Sequence, residues 1–185
     1  MKLRFSTTIA SLALVVLATA CTGTSSALQS AVAQTAMSSS SSLTTLTDVD
    51  AAAVAHAIDD GEIQMAQLAV TSASSQQVRD FAQMMITDHQ NANRTLESNG
   101  FGVVRNPVVD ALNAEVSRQM TMLRGKSGAD FDRAYMGSQV MMHQTALDLM
   151  RSTLVPSAQS TTLRQTLTTM RDTVQMHLDH ARAMK

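Results

Sequence analysis

The stretch Phe81–Leu96, FAQMMITDHQNANRTL, most constrains the fold of this chain. At about 100° per residue, Val78, Phe81, Met85, His89, Ala92 and Leu96 share one side of a helix, while Arg79, Gln83, Gln90 and Glu97 share the other. A stripe of that width is stable only when other apolar helix faces cover it. His89 lies in the middle of the stripe, with Asp88 at its edge. A buried imidazole without a partner costs about 1–3 kcal/mol, so the rest of the chain must supply something for His89 to meet.

The same periodicity recurs along the chain. A first helix over about 48–73 starts at Thr47-Asp48 as its N-cap, with Ala51, Ala55, Ile58, Met65, Ala66 and Ala69 on one stripe and Glu62 at the centre. The helix carrying His89 runs over about 75–99 and ends at Asn99-Gly100. After Asn106-Pro107, the spacing of Val108, Leu112, Val116, Met120 and Leu123 predicts a shorter helix in a long connection. A further helix over about 129–154 turns Phe131, Tyr135, Met142, Ala146 and Leu149 inward, together with Asp132, Gln139 and His143, and Pro156 is expected to end it. The last, over about 157–184, buries Leu163, Leu167, Met170, Val174 and Ala181, with His177 on the stripe and His180 at its margin. The helices carrying His89 and His143 also echo each other, since Phe81 and Tyr135 each precede a His-Gln pair by eight residues. The expected fold is all-α, a four-helix bundle with a long second-to-third connection that holds the extra helix.

Residues 1–21 read as an export signal: Lys2 and Arg4 precede an apolar run from Ile9 to Ala18 that is short for a membrane anchor. Ala18 and Ala20 before Cys21 resemble the bacterial lipoprotein signal, in which the cysteine is lipidated and anchors the protein to the membrane, although Ala18 stands where leucine is usual. Cleavage after Ala20 or Ala33 is the competing outcome and gives a soluble exported protein. If Cys21 is lipidated, Thr22 resembles the outer-membrane sorting choice of enteric bacteria. Residues 22–47 are rich in Ser, Thr and Ala and are expected to form a flexible tether, because they cannot bury enough apolar surface to offset their ordering entropy. The bundle domain is then 48–185.

Composition closes other routes. Formal net charge is -1 with no basic run, so no nucleic-acid footprint is present. With one cysteine, Cys21, the domain has neither an internal disulfide nor a thiolate metal site. The 14 methionines suit irregular helix packing, and thioethers also suit Cu(I). No Ser-His-Asp set or nucleotide-binding loop occurs.

Each long helix thus offers inward polar groups, and mixed carboxylate and imidazole ligands from facing helices are how bundle metal sites are built, with Fe, Cu and Zn as candidates. Counting rise along the helices places Glu62, Asp88, His89 and His143 in a mid-bundle group. It places Asp132, Tyr135, His177 and His180 in a second group nearer one end. The plainer reading is that Glu62 and His89 form a buried charge-assisted hydrogen bond and no metal binds.

Glu62, Phe81-Ala82 with Met84, Asp88-His89, Phe131-Asp132 with Tyr135, His143 and His177-Leu178 together resemble the domain-of-unknown-function 4142 family, a group of exported bacterial ferritin-like four-helix bundle proteins. The resemblance spans about residues 48–183 and implies a ferritin-like fold and a cell-envelope location, with no activity attached. Di-iron ferritin-like enzymes carry Glu-x-x-His on two helices, and this sequence has no such motif. Local Met-Met and His-Gln strings are also similar to exported Met/His bundle proteins linked to copper handling. Three functions are therefore in view. The leading one is a non-enzymatic envelope protein that binds a transition metal. The others are a metal-dependent redox or stress-protection enzyme and a structural or partner-binding module.

Overall fold

The computed structural model describes residues 46–185; the expected export signal, Cys21 and nearly all of the expected tether lie outside the described residues. Those residues form five main helices and no strand: α1 (Asp48–Ser72), α2 (Gln76–Ser98), α3 (Pro107–Arg124), α4 (Gly128–Leu149) and α5 (Thr161–Ala183). No helix among them is long and apolar enough to cross a membrane. Helices α1 and α2 form one antiparallel hairpin, α4 and α5 a second, and α3 lies in the connection and packs on α1.

Local chemistry explains the boundaries. Thr47 Oγ1 accepts the N–H of Asp50 at 3.2 Å, and Asp48 and Asp50 sit in the first turn of α1, where carboxylates complement the helix dipole. Asn106 caps α3 by accepting from Val108 and Val109, and Pro107 occupies a first-turn position whose missing N–H costs nothing. Helix α2 stops at Gly100, whose φ of 83° lets the N–H of Phe101 turn back to the carbonyl of Leu96 at 3.0 Å.

Two capping contacts tie the hairpins to each other. Ser75, at the start of α2, makes no side-chain cap; instead Asp132 of α4 accepts the backbone N–H groups of Ser74 at 2.9 Å and Ser75 at 2.8 Å. At the opposite end Asp48 of α1 accepts from the N–H groups of Gln159 at 2.6 Å and Ser160 at 2.8 Å. Arg79 and Arg164 close the same turns by donating to Ala73 and Ala158 carbonyls. The hairpins are thus equivalent halves: Asp48 corresponds to Asp132, and Ala73, Ser75 and Arg79 correspond to Ala158, Ser160 and Arg164.

The second half carries one more residue between its aspartate and its alanine than the first. It is absorbed in a π-helical turn, Met150–Leu154, followed by a short helical stub, Val155–Ser157. A π turn is the usual means of housing a single inserted residue without breaking a helix. Pro156 therefore does not end the helix at residue 154 as expected; the widened turn carries it on to Ser157.

Helix α1 departs from the single stripe expected of it. Every residue from Ala51 to Asp59 is buried, because alanine side chains let neighbouring helices approach from all sides. At Gly61 the approach is closest, since an added Cβ would stand 2.5 Å from Val116 Cγ2 on α3. The apolar interior divides in two. One part holds Ala51–Ala55, Leu96, Leu147, Leu154 and Leu167, and the other Met65, Phe81, Met85, Leu123, Phe131 and Tyr135. Between them lies a layer of buried polar side chains.

Candidate metal centre

That layer is built from every long helix of the two hairpins. Helix α2 contributes His89 and, at the layer's edge, the partly exposed Asp88; α4 contributes Gln139 and His143, α5 contributes His177, and α1 contributes Asp59 and Glu62. The three imidazole rings form a near-equilateral triangle, with centroids 5.8 Å (His89–His143), 5.3 Å (His89–His177) and 5.5 Å (His143–His177) apart. One nitrogen from each ring lies within 4.8 Å of those of the other two, and all three residues are buried.

Each ring is held by one nitrogen. His89 Nδ1 meets Asp59 Oδ1 at 2.7 Å, His143 Nδ1 donates to the Gln139 carbonyl at 3.0 Å, and His177 Nε2 donates to Asp88 Oδ2 at 2.9 Å. The other nitrogens, His89 Nε2, His143 Nε2 and His177 Nδ1, are buried and have no hydrogen-bond partner. Three orphaned imidazole nitrogens on facing rings, each with its far side fixed by a carboxylate or carbonyl, are the arrangement that ligating histidines adopt around a metal ion. Glu62 stands beside it, accepting from Gln139 Nε2 at 2.9 Å and lying 3.5 Å from His143 Nδ1.

Two of the three rings are held in the ligating form. Burial, reinforced by the neighbouring His89 and His177 imidazoles, pushes His143 well below the ordinary histidine range. Burial also lowers His177, against the pull of Asp88. Both rings are therefore neutral at pH 7, the form that ligates a metal. Burial would lower His89 as well, but the hydrogen bond to Asp59 and the charges of Asp59, Glu62 and Asp88 outweigh it and raise its pKa. Burial pushes Glu62 up to about 7, against the opposing influence of His89 and Gln139.

Three imidazole nitrogens with nearby carboxylates suit a first-row divalent ion such as Zn, Cu or Fe, whose binding would displace the proton that the carboxylates favour on His89. His89, His143 and His177 would hold the ion, and Zn–N bonds of about 2.0–2.1 Å would require the three rings to draw closer together. The protein would fix the ion's position and supply counter-charge through Asp59, Glu62 and Asp88.

Several sequence expectations are corrected. His177 belongs with His89 and His143, not with an end-level group. The end-level placement follows from a last helix expected to start at about residue 157, whereas α5 starts at Thr161, one turn later. The second group does not form. Asp132 caps the α1–α2 turn, and its hydrogen bonds with Ser74 and Ser75 outweigh burial and hold its carboxyl below the usual range. Tyr135 stacks on Phe131 at 6.3 Å and meets Phe81 edge-on at 6.4 Å, with its hydroxyl unpartnered. His180 is exposed and lies edge-on to Phe81 at 5.2 Å. Nor is Glu62 the partner of His89; that is Asp59, which the apolar stripe of α1 does not single out. Asp59 lies about 60° around α1 from Glu62, just beyond the edge of the apolar stripe, so periodicity gives little signal for it.

The fold and site define an all-helical bundle protein with a buried three-histidine layer. A family model described as a domain of unknown function, DUF4142, matches residues 29–184, and the chain belongs to that family. Comparison with curated proteins and with solved structures finds no match.

Proposed function

We propose that this protein is an exported, ferritin-like four-helix bundle of the cell envelope that binds one divalent first-row transition metal ion through His89, His143 and His177. The observation that carries the reading is the set of three unpartnered buried nitrogens, His89 Nε2, His143 Nε2 and His177 Nδ1. Leaving each bare costs about 1–3 kcal/mol, and these three, unlike the other unpartnered buried atoms, belong to facing rings whose ligating nitrogens lie within 4.8 Å of one another. A bound ion satisfies all three at once. Two antiparallel hairpins joined by a long connection support the ferritin-like assignment. The envelope location rests on the signal-like residues 1–21, with Cys21 as the lipidated residue that tethers the bundle to a membrane.

The test is metal analysis of untagged full-length protein, with melting temperature measured before and after addition of Zn(II), Cu(II) or Fe(II). One ion per chain and a rise of several degrees are expected, because ligand at about 100-fold over Kd adds about 2.7 kcal/mol. No retained ion and no thermal response from any of the three metals overturns the reading.

A further inference from the structure

A cleft of about 460 Å³ opens between α2 and α5 and reaches the histidine layer from one side. Its floor is Asp59, Asp88 and His89, and its walls include Thr95, Thr166 and Thr169. No lysine or arginine lines it. The two carboxylates have a double placement: each holds a ring N–H of the histidine layer and also faces the cleft. Asp88 is 31% exposed, so solvent reaches it directly. Asp59 is 1% exposed, and its second oxygen, Oδ2, is buried without a partner.

The threonines add a further bias. Thr95 Oγ1 donates to the Asn91 carbonyl at 2.9 Å, Thr166 Oγ1 to Thr162 at 3.0 Å, and Thr169 Oγ1 to Gln165 at 3.2 Å. With those protons committed to the helix backbone, the hydroxyls offer only lone pairs to a guest. A passage with oxygen acceptors on its walls and carboxylates on its floor draws in cations and repels anions. It also replaces the water molecules that an ion sheds on the way in.

We propose that this cleft is the route by which the metal ion enters and leaves the centre, with Asp88 as the first carboxylate met and Asp59 Oδ2 as the second. The ion is then exchangeable cargo rather than a permanent structural cofactor, and the protein is built to load and release it. This rests on the metal reading above and adds the path and direction of exchange. Asp59 and Asp88 are positioning residues for the histidines and, in addition, transient ligands for an ion in transit.

The test fills the cleft without touching the centre. Thr169→Trp alters an exposed position and Thr173→Phe a half-exposed one, so both spare the core. Zn(II) uptake by metal-free full-length protein is followed by stopped flow, and release is followed into a chromophoric chelator. Both variants should slow uptake and release together, by about tenfold or more, and leave Kd unchanged, because a blocked path alters rates and not the end states. The wild-type uptake rate should also fall as salt rises, since screening weakens the pull of the carboxylates. Wild-type rates in both variants, with helical circular dichroism intact, overturn the route while leaving the metal site standing. Slowed uptake with unchanged release also overturns it, because Kd has then moved and the substituted positions act on the site itself. No uptake by the wild type overturns the metal reading and the route with it.

Discussion

Replacing His143 with leucine separates a metal ligand from a histidine that is merely a packed core residue. His143 is 1% exposed, its Nε2 has no partner, and its Nδ1 donates to a carbonyl that also belongs to the backbone of α4. In the metal-free protein the orphaned nitrogen costs about 1–3 kcal/mol, and the Nδ1 hydrogen bond returns about 0.5–1.5 kcal/mol. Leucine removes both and keeps the site apolar and filled, with a packing adjustment of less than about 1.5 kcal/mol. Glu62 is not stranded as an obligate charge, because its carboxyl titrates near 7 and it keeps Gln139 as a donor. His143→Leu should therefore leave the apo-protein as stable as the wild type or up to about 1 kcal/mol more stable, a rise in Tm of about 3 °C. The variant should show no stabilisation by metal, whereas the wild type gains about 2.7 kcal/mol at 100-fold excess over Kd. Urea unfolding with and without Zn(II) measures both. An apo-protein weakened by more than about 2 kcal/mol, with the metal response kept, would refute the assignment and make His143 a satisfied core residue.

Asp88→Ala removes the acceptor that fixes the His177 ring. Metal affinity should fall about 10- to 100-fold, or about 1.4–2.7 kcal/mol, and chelator competition that finds affinity unchanged contradicts the role. Asp132→Ala strips the α1–α2 turn of its cap and should cost about 1 kcal/mol at neutral pH without altering metal binding. Because the folded pKa of Asp132 lies below its ordinary 3.8, the contribution is complete above that value and is lost as pH falls through the folded value. Stability curves of wild type and variant should accordingly converge in strong acid, and a constant gap speaks against the cap. At Gly61, alanine gains about 1 kcal/mol in helix propensity but meets Val116, at an overpacking cost of about 1–3 kcal/mol. The single change should be neutral to destabilising, and in a Val116→Ala background it should become stabilising; the same sign in both backgrounds disproves the close contact.

Much of the fold is legible in the sequence because periodicity reports which face a helix buries. Phe81, Met85 and Leu96 announce α2, Asn106-Pro107 announces α3, and Thr47-Asp48 and Asn99-Gly100 mark ends that the capping geometry repeats. What periodicity does not report is the height at which antiparallel helices meet, because that depends on where each turn falls. His177 stands sixteen residues after the start of α5 at Thr161, and His143 fourteen before the end of the stub at Ser157, so the two come level across the turn. Starting the last helix four residues early moved His177 by about 6 Å at ~1.5 Å per residue, enough to assign it to the wrong group. The π turn has no period of its own and is visible only once the two halves are matched through Asp48 and Asp132. Asp59 was hidden for a different reason. A stripe argument assumes one buried face, and α1 is surrounded over Ala51–Asp59, so a carboxylate off the stripe is as buried as one on it.

Whether three imidazoles hold one ion is read from X-ray absorption spectroscopy of Zn-loaded, untagged protein. One zinc per chain and three imidazole nitrogens at about 2.0–2.1 Å from it are expected, with fewer nitrogens in His143→Leu. A zinc shell of oxygen or sulfur without imidazole, or a spectrum identical in the wild type and the variant, contradicts that coordination.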